Sequence, residues 1–556
     1  MKHPLKISTT FKLPVIGLLA LLTACSSGGG SDSVSTATIS GAIVAAPVAG
    51  AQVSVVDASG NIVVEAVTTD ASGLYSLSVP AGSLGQDLII ASSGGSFTDE
   101  ATGNAGTAGS MFAYMAANSI NNGSSVSVTP GSTIVANLVL DHGKTMTEAQ
   151  TIFAATFGYT PDVSVLPVDA TIMPAADVSD AEKLSGLRAA AYSQLAMDLG
   201  LSQNDQFDMF AALARDLSDG VLDGVDASGP VVIDPASSAS PVLPLDIQNR
   251  FVIAMEGFHG GGRNMTGLTN DQIGNLPFAK IALTDSYKVE YIPGMMAAME
   301  GKSMFKLRVT DKATGLVGQA GLALTLMPMM HMAEHMHSSP DMDCVEDLAV
   351  AGDYDCTVYY LMASAMADGT SMGYWTLMVT LEDTVAGTSE SAMLYPEVMM
   401  AMGDTAKVTL KGGMTTDVIP GMLGDMSRSY FVFKEGLSGM GDTRTFTMFI
   451  AAMESMSSYP AVSVGTTLNV GTAYELITTP MTVEVSTDAS TWWTANDNGN
   501  GNWSTNAEVA NLVDGTTGTI YVRLTINGEQ KTMDGMAPAG DGTNDYGMFS
   551  VTPGGM

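Results

Sequence analysis

Short runs in which β-branched and aromatic residues alternate with polar ones, each closed by an Asp- or Gly-bearing turn, recur from residue 39 almost to the end of the chain. Ile39-Ser40-Gly41-Ala42-Ile43-Val44, Leu74-Tyr75-Ser76-Leu77-Ser78-Val79, Met304-Phe305-Lys306-Leu307-Arg308-Val309-Thr310 and Met481-Thr482-Val483-Glu484-Val485 all show it. A period of two puts one side-chain set on each face of an extended chain, the pattern of a strand with one face buried. Three- and four-residue periods are confined to a single stretch. The expected class is therefore mainly β, with several β-sandwich modules and a small helical insert. At 556 residues the chain is too long for one core, and about 150 residues per domain gives three or four.

The first 24 residues read as an export signal. Lys2, Lys6 and Lys12 precede the apolar run Leu13 to Leu22, which ends in Leu22-Thr23-Ala24-Cys25. That tetrapeptide resembles a bacterial lipobox, which implies a lipid on Cys25, and Ser26 then implies sorting to the outer membrane. The expected partner is the outer membrane, through the anchor; the sequence specifies neither leaflet nor protein partner. Residues 25–36, rich in Ser and Gly, read as a flexible tether. Removing residues 1–24 takes three lysines from 22 basic residues, so 19 face 57 acids and the mature charge is −38. Such a balance argues against nucleic acid as a partner. Only Cys344 and Cys356 then remain, and an even pair in an oxidising compartment is read as a disulfide, with a thiolate metal pair as the minority reading.

Residues 37–142 are expected to form the first β domain. Pro47-Val48-Ala49-Gly50-Ala51, Asp57-Ala58-Ser59-Gly60 and Thr69-Asp70-Ala71-Ser72-Gly73-Leu74-Tyr75 fall in the order seen in carboxypeptidase-regulatory-like (transthyretin-like) domains. The segment 37–95 resembles one, which implies a spacer or binding platform without catalytic residues. After Ser132 to Leu140, read as a strand, residues 143–225 form the helical insert. Its predicted helices are Thr147 to Phe157, stopped by Gly158, Asp180 to Leu199, stopped by Gly200, and Gln203 to Leu217, capped by Ser202. Asp219 to Asp226 misses the spacing of a calcium loop and reads as a helix end with Asp-Gly turns. Four prolines between Pro230 and Pro244 mark 226–248 as a linker. A Met-rich β region, 249–475, and a C-terminal module, 476–556, follow; the second resembles an immunoglobulin-like sandwich.

Within the Met-rich region, Met327-Pro328-Met329-Met330-His331-Met332-Ala333-Glu334-His335-Met336-His337 gathers three of the five histidines left after removal of the signal. Thioethers beside imidazoles are a soft to borderline ligand set that suits copper, above all Cu(I). The expected site comprises Met329, Met330, His331, Met332, His335, Met336 and His337, on an exposed loop bounded by Pro328 and Pro340, with copper as the expected cofactor. The bland reading is that methionine, a flexible and polarizable side chain, fills core gaps here. The order of strand, Asp-x-x-x-Gly turn, strand, Met-Pro-Met-Met-His and Gly-Tyr-Trp strand across 283–382 resembles small periplasmic modules of the YtkA-like and FixH-like kind, which implies copper handling or cytochrome-oxidase maturation; the Cys344/Cys356 segment is an insertion relative to them. The remaining methionines, among them Met295, Met296, Met299, Met362, Met366, Met372, Met399, Met400 and Met402, read mostly as core.

Enzyme patterns occur by spelling. His259-Gly260-Gly261-Gly262 and Gly369-Thr370-Ser371-Met372-Gly373 match an oxyanion motif and a nucleophile elbow, yet no histidine follows His337 to complete a triad. His331-Met332-Ala333-Glu334-His335 spells an inverted zinc-protease motif, whose chemistry needs both imidazoles on one helix face. The expectation is a non-catalytic, outer-membrane-anchored modular lipoprotein that binds copper, the alternative being a structural or adhesive surface protein whose methionines only pack.

Overall fold

The computed structural model describes residues 35–274, 276–315, 318–421 and 423–554. Cys25, the signal and nearly all of the tether lie outside them. The chain is mainly β, as its alternation predicts, and divides into two compact units, one ending at Leu268 and the other running from Thr269.

In the first unit Thr36–Ala42 pairs antiparallel with Leu74–Pro80, and a four-stranded sheet runs in the order Ile62–Thr68, Gln52–Asp57, Leu88–Ser93, Met111–Met115. Alternation does what it predicts: Ile39, Tyr75, Leu77 and Val79 are buried while their neighbours face out. The turns are built by Asx chemistry, with Asp57 Oδ1 accepting from the Ser59 and Asn61 amides and Asp70 Oδ1 from those of Ser72 and Leu74.

Five helices complete this unit among the described residues: α1 (Pro130–Leu140), α2 (Met146–Phe157), α3 (Asp180–Asp198), α4 (Gln206–Asp216) and α5 (Ile247–His259). The stretch Ser132 to Leu140, read as a strand, is thus α1. It is buried on all sides from Pro130 to Leu138, so its apolar run carries no period that separates strand from helix. What decides is its start, where Thr129 and Ser132 form a reciprocal capping box with Pro130 at the first helical position. The same box opens α2 through Thr145 and Glu148 and α3 through Ser179 and Glu182. Ser202 does not cap α4; its hydroxyl donates to Asp205, the residue that precedes the helix.

Residues 226–248 are not a linker. Val231, Ile233 and Leu243 are buried, Val232 bridges Val242, and Arg215 holds both the Asp226 carboxylate and the Val232 carbonyl. The prolines shape a folded arm whose apolar residues pack, and the next residues form α5, with Phe251 against Phe157 and Tyr192 at ring distances of 4.8 and 4.9 Å. The Met-rich β region therefore begins after Leu268, not at 249.

The second unit holds two sandwiches. In the first, a sheet ordered Ile281–Leu283, Tyr287–Pro293, Gly301–Asp311, Asp353–Tyr360, Asp341–Glu346 shares one core with a sheet ordered Met336–Ser338, Ala323–His331, Tyr374–Asp383, Thr388–Leu394. The Cys344/Cys356 insertion is not a free loop but the edge hairpin of the first sheet. Its strands change register between Met342 and Val345, and a disulfide joins the two cysteines there.

The second sandwich begins well before residue 476. Lys407–Lys411, Ser429–Ser438, Thr445–Ala452, Asn502–Ser504 and Asn496–Asp497 form one sheet. The other is Trp493–Thr494, Met481–Ser486, Gly518–Ile526 and Glu529–Lys531, with Gly547–Val551 also on Gly518–Ile526. A boundary at 475/476 would cut through this module, because Phe449 pairs with Asn502 and both sheets fill one core around Ile450, Val483, Val522 and Phe549. Sequence-local reading separates strands that pair only over a distance. A smaller apolar cluster joins the two sandwiches, where Tyr359 stacks on Phe449 with centroids 4.0 Å apart.

Candidate metal centre

The Met/His stretch is a hairpin rather than an exposed loop. Ala323–His331 buries Leu324, Leu326, Pro328 and Met330 and turns Met327, Met329 and His331 to the other face, which is the alternation of a strand carried to its last residue. Met332 to His335 make the turn, closed by the Met332 amide donating to the His335 carbonyl at 3.0 Å, and Met336–Ser338 returns. Pairing puts Met330 opposite His337 and His331 opposite Met336. Residues opposite each other in a ladder share a face, so the fold mixes the two residue types that a continuous strand would have separated.

The inner row runs His337, Met330, Trp375 across three strands. Met330 and Trp375 are fully buried and His337 is 8% exposed. The His337 ring stands edge-on to Trp375, with centroids 5.6 Å apart and planes at 84°. Its Nδ1 lies 2.8 Å from the Ser338 carbonyl oxygen and its Nε2 3.2 Å from the Met362 sulfur. A carbonyl oxygen only accepts, so Nδ1 must carry the proton. Burial holds the imidazole below its ordinary pKa and hence neutral at pH 7, with the Ser338 carbonyl opposing the shift. Nε2 therefore faces Met362 Sδ with a lone pair. Two acceptors are directed at one another with no proton between them. The Trp375 indole donates to the Met362 carbonyl at 3.2 Å and fixes that residue's backbone.

The outer row is different. His331 stacks on Tyr374, centroids 4.7 Å apart and planes at 7°, and its Nε2 lies 3.0 Å from the Thr376 hydroxyl. Met336 is 50% exposed and His335 lies exposed in the turn. Of the seven residues expected to form one site, the structure thus brings Met330 and His337 together on the buried face. His331 and Met336 lie on the opposite face, with Met329 on the outer row beside them. Met332 packs partly buried against the core, and His335 stands apart. Met362 and Trp375 were not part of the expectation. Met362 lies 25 residues from His337, with nothing local to mark it.

The remaining patterns resolve into packing. His331 and His335 are at a strand end and in a turn, not on one helix face, so the inverted zinc-protease spelling has no geometry behind it. His259 ends α5 with its Nε2 2.8 Å from the Leu268 carbonyl. Gly373 is a close-approach glycine, since a Cβ there would sit 2.0 Å from the His331 carbonyl oxygen. Among the described residues no group of three or more His, Cys, Asp or Glu side chains is placed to hold a metal, and no helix is long and apolar enough to cross a membrane. Most of the scattered methionines are not core: Met295, Met296, Met366, Met399, Met400 and Met402 are exposed. They lie on loops, where alternation gives no inward face.

Comparison of the chain with protein-family models and with curated proteins gives no match. What stands is a class: a mainly β, multi-sheet protein whose second unit carries a buried imidazole opposed to a thioether.

Proposed function

We propose that this chain is an exported, lipid-anchored, non-catalytic modular protein of the outer membrane that binds Cu(I) between His337 Nε2 and Met362 Sδ. The observation that carries the reading is the confrontation of two soft-to-borderline lone pairs at 3.2 Å, with the proton of the imidazole committed elsewhere. A monovalent soft cation accepts low coordination by N and S, and a small outward movement of Met362 makes room for it. Met330, opposite His337, offers a further thioether, and the Trp375 ring lies beside the imidazole. The Nδ1 bond to Ser338 is the outer-shell contact that orients a ligating histidine. Cys25, as a lipid anchor, holds the site at the membrane, and the N-terminal β module serves as spacer.

A structural or adhesive role, with methionines only packing, is the second reading. It is favoured by the tandem sandwiches and by the complete burial of Met330 and Trp375.

Competition for Cu(I) with a coloured chelator, in the wild type and in Met362→Leu, His337→Ala and His335→Ala variants, decides between them. Met362→Leu keeps side-chain volume and removes only the sulfur, so it is the variant least able to fail by misfolding. Copper binding predicts at least about a tenfold loss of affinity, or about 1.4 kcal/mol, in Met362→Leu and His337→Ala and none in His335→Ala. Equal affinity in all four proteins leaves the packing role. The anchor is tested separately: Cys25→Ser must move the protein from the detergent phase to the aqueous phase.

A further inference from the structure

We propose that the cleft between the first turn of α1 and the middle of α3 in the first unit binds a small organic monocarboxylate, with its carboxylate on the Arg188 guanidinium and its apolar body toward Leu184, Val165 and Pro161. The cavity has a volume of about 160 Å³. A cavity of about 150 Å³ accommodates benzene, so a ring or a branched chain with one carboxylate fills it.

Arg188 is the anomaly that points to a ligand. In a chain with 57 acids against 22 basic residues, Arg215, Arg250, Arg308, Arg428, Arg444 and Arg523 all have carboxylate partners. Arg263 donates to the Glu100 carbonyl. Arg188 has neither ion pair nor hydrogen bond among the described residues, and its Nε is shut off from solvent without a partner. Its one close companion is the Tyr159 ring, 4.2 Å below the guanidinium carbon. Burial lowers its pKa, and the groups that oppose the shift are the Tyr159 and Tyr192 hydroxyls, not a carboxylate. Leaving a partly desolvated guanidinium without an anion is costly, and a planar carboxylate matches its fork.

The surroundings set the ligand class. The Tyr159 and Tyr192 hydroxyls lie 3.2 Å apart; one donates to the other, and the proton of the second is left for an acceptor in the cleft. Gly131, in the first turn of α1, lets this pair approach, because a Cβ there would lie 2.9 Å from the Tyr159 hydroxyl oxygen. The positive end of the α1 dipole adds to the field. Asp162 is the one acid that lines the cleft, and its Oδ1 is taken by the Ser164 amide and hydroxyl. A single cation with aromatic and aliphatic walls suits a monoanion. A phosphate dianion would need a second cation, and none lines the cleft.

The test uses the full-length protein and benzoate, followed by calorimetry and by ligand-observed NMR, with benzyl alcohol as the neutral analogue and inorganic phosphate as the competing anion. Saturable benzoate binding with Kd on the order of 1 mM or tighter is expected, lost in Arg188→Leu, weakened several-fold in Arg188→Lys and Tyr159→Phe, and absent for benzyl alcohol. Arg188→Lys keeps the charge and removes the fork, so it remains informative if Arg188→Leu fails to fold. No saturable binding up to about 10 mM, or binding unchanged by Arg188→Lys, or tighter binding of phosphate than of benzoate, overturns the proposal.

Discussion

Arg428 and Asp417 form an ion pair of 2.8 Å in which each side chain is only 1% exposed. Lys531 reaches the other oxygen of the same carboxylate at 2.8 Å, and the Tyr430 hydroxyl donates to it at 2.6 Å. Lys531 comes from one sheet of the second sandwich and Tyr430 from the other, so Asp417 ties the two together through charge and hydrogen bonding beside the apolar core they share.

Replacing Asp417 with Asn leaves Arg428 buried without its counter-charge and Lys531 with Glu529 as its one remaining carboxylate, at 2.8 Å. Removing one partner of a buried pair costs about 3–5 kcal/mol. Urea unfolding followed at the tryptophans is expected to show the second unit destabilised by that amount; a loss below about 1 kcal/mol would mean the carboxylate is solvated as the pair of an exposed bridge is.

Two buried groups give opposite pH dependences. His337 has its folded pKa lowered by burial, so the unfolded chain binds the extra proton. Its contribution is present above about pH 6.5 and is lost as pH falls below it. Glu100, 1% exposed with Oε2 lacking a partner, is pushed up by burial to about 8. Its contribution is full below the unfolded value near 4.5 and disappears as pH rises toward 8. His337→Gln should flatten the acid limb of the melting profile and Glu100→Gln the neutral-to-alkaline limb; a Glu100→Gln profile parallel to wild type between pH 5 and 8 contradicts the assignment.

The disulfide closes a separation of 12 residues across the edge hairpin. Loops of about 15 residues correspond to about 3 kcal/mol, and pairing of the flanking strands already supplies part of that order, so Cys344→Ser/Cys356→Ser should cost about 2–3 kcal/mol. Thiol labelling of the denatured, unreduced protein is expected to find neither cysteine.

Surface thioethers should oxidise first. Met295, Met402 and Met440 are 106, 76 and 76% exposed, whereas Met330 and Met448 are fully buried. Peptide mapping after mild peroxide treatment is expected to find sulfoxide at the first three while the buried pair is intact. Early oxidation at Met330 would show that the hairpin opens.

Strand positions, turn residues and three of the five helix locations were legible in the sequence, because each depends on neighbours within one turn or one strand. Alternation fixed which side of Leu74–Pro80 faces inward, Asp57 and Asp70 fixed their turns, and Gly158 marked the end of α2. The α1 error at Ser132 to Leu140 has the same root: a helix buried all round has no amphipathic period, and only its capping residues speak for it.

What the tertiary structure alone decided is which distant segments share a core. The second sandwich pairs Thr447 with Ser504 across a stretch that a linear division cuts at 476, and the Pro-rich arm packs Val231 and Leu243 instead of linking domains. The candidate site shows the same limit. The sequence supplied a dense run of methionine and histidine, but the hairpin register turned Met330 and His337 to one face and His331 to the other, and Met362 arrived from another segment. Ligand geometry depends on pairing register and side-chain direction over long separations, and neither is carried by residue spacing along the chain.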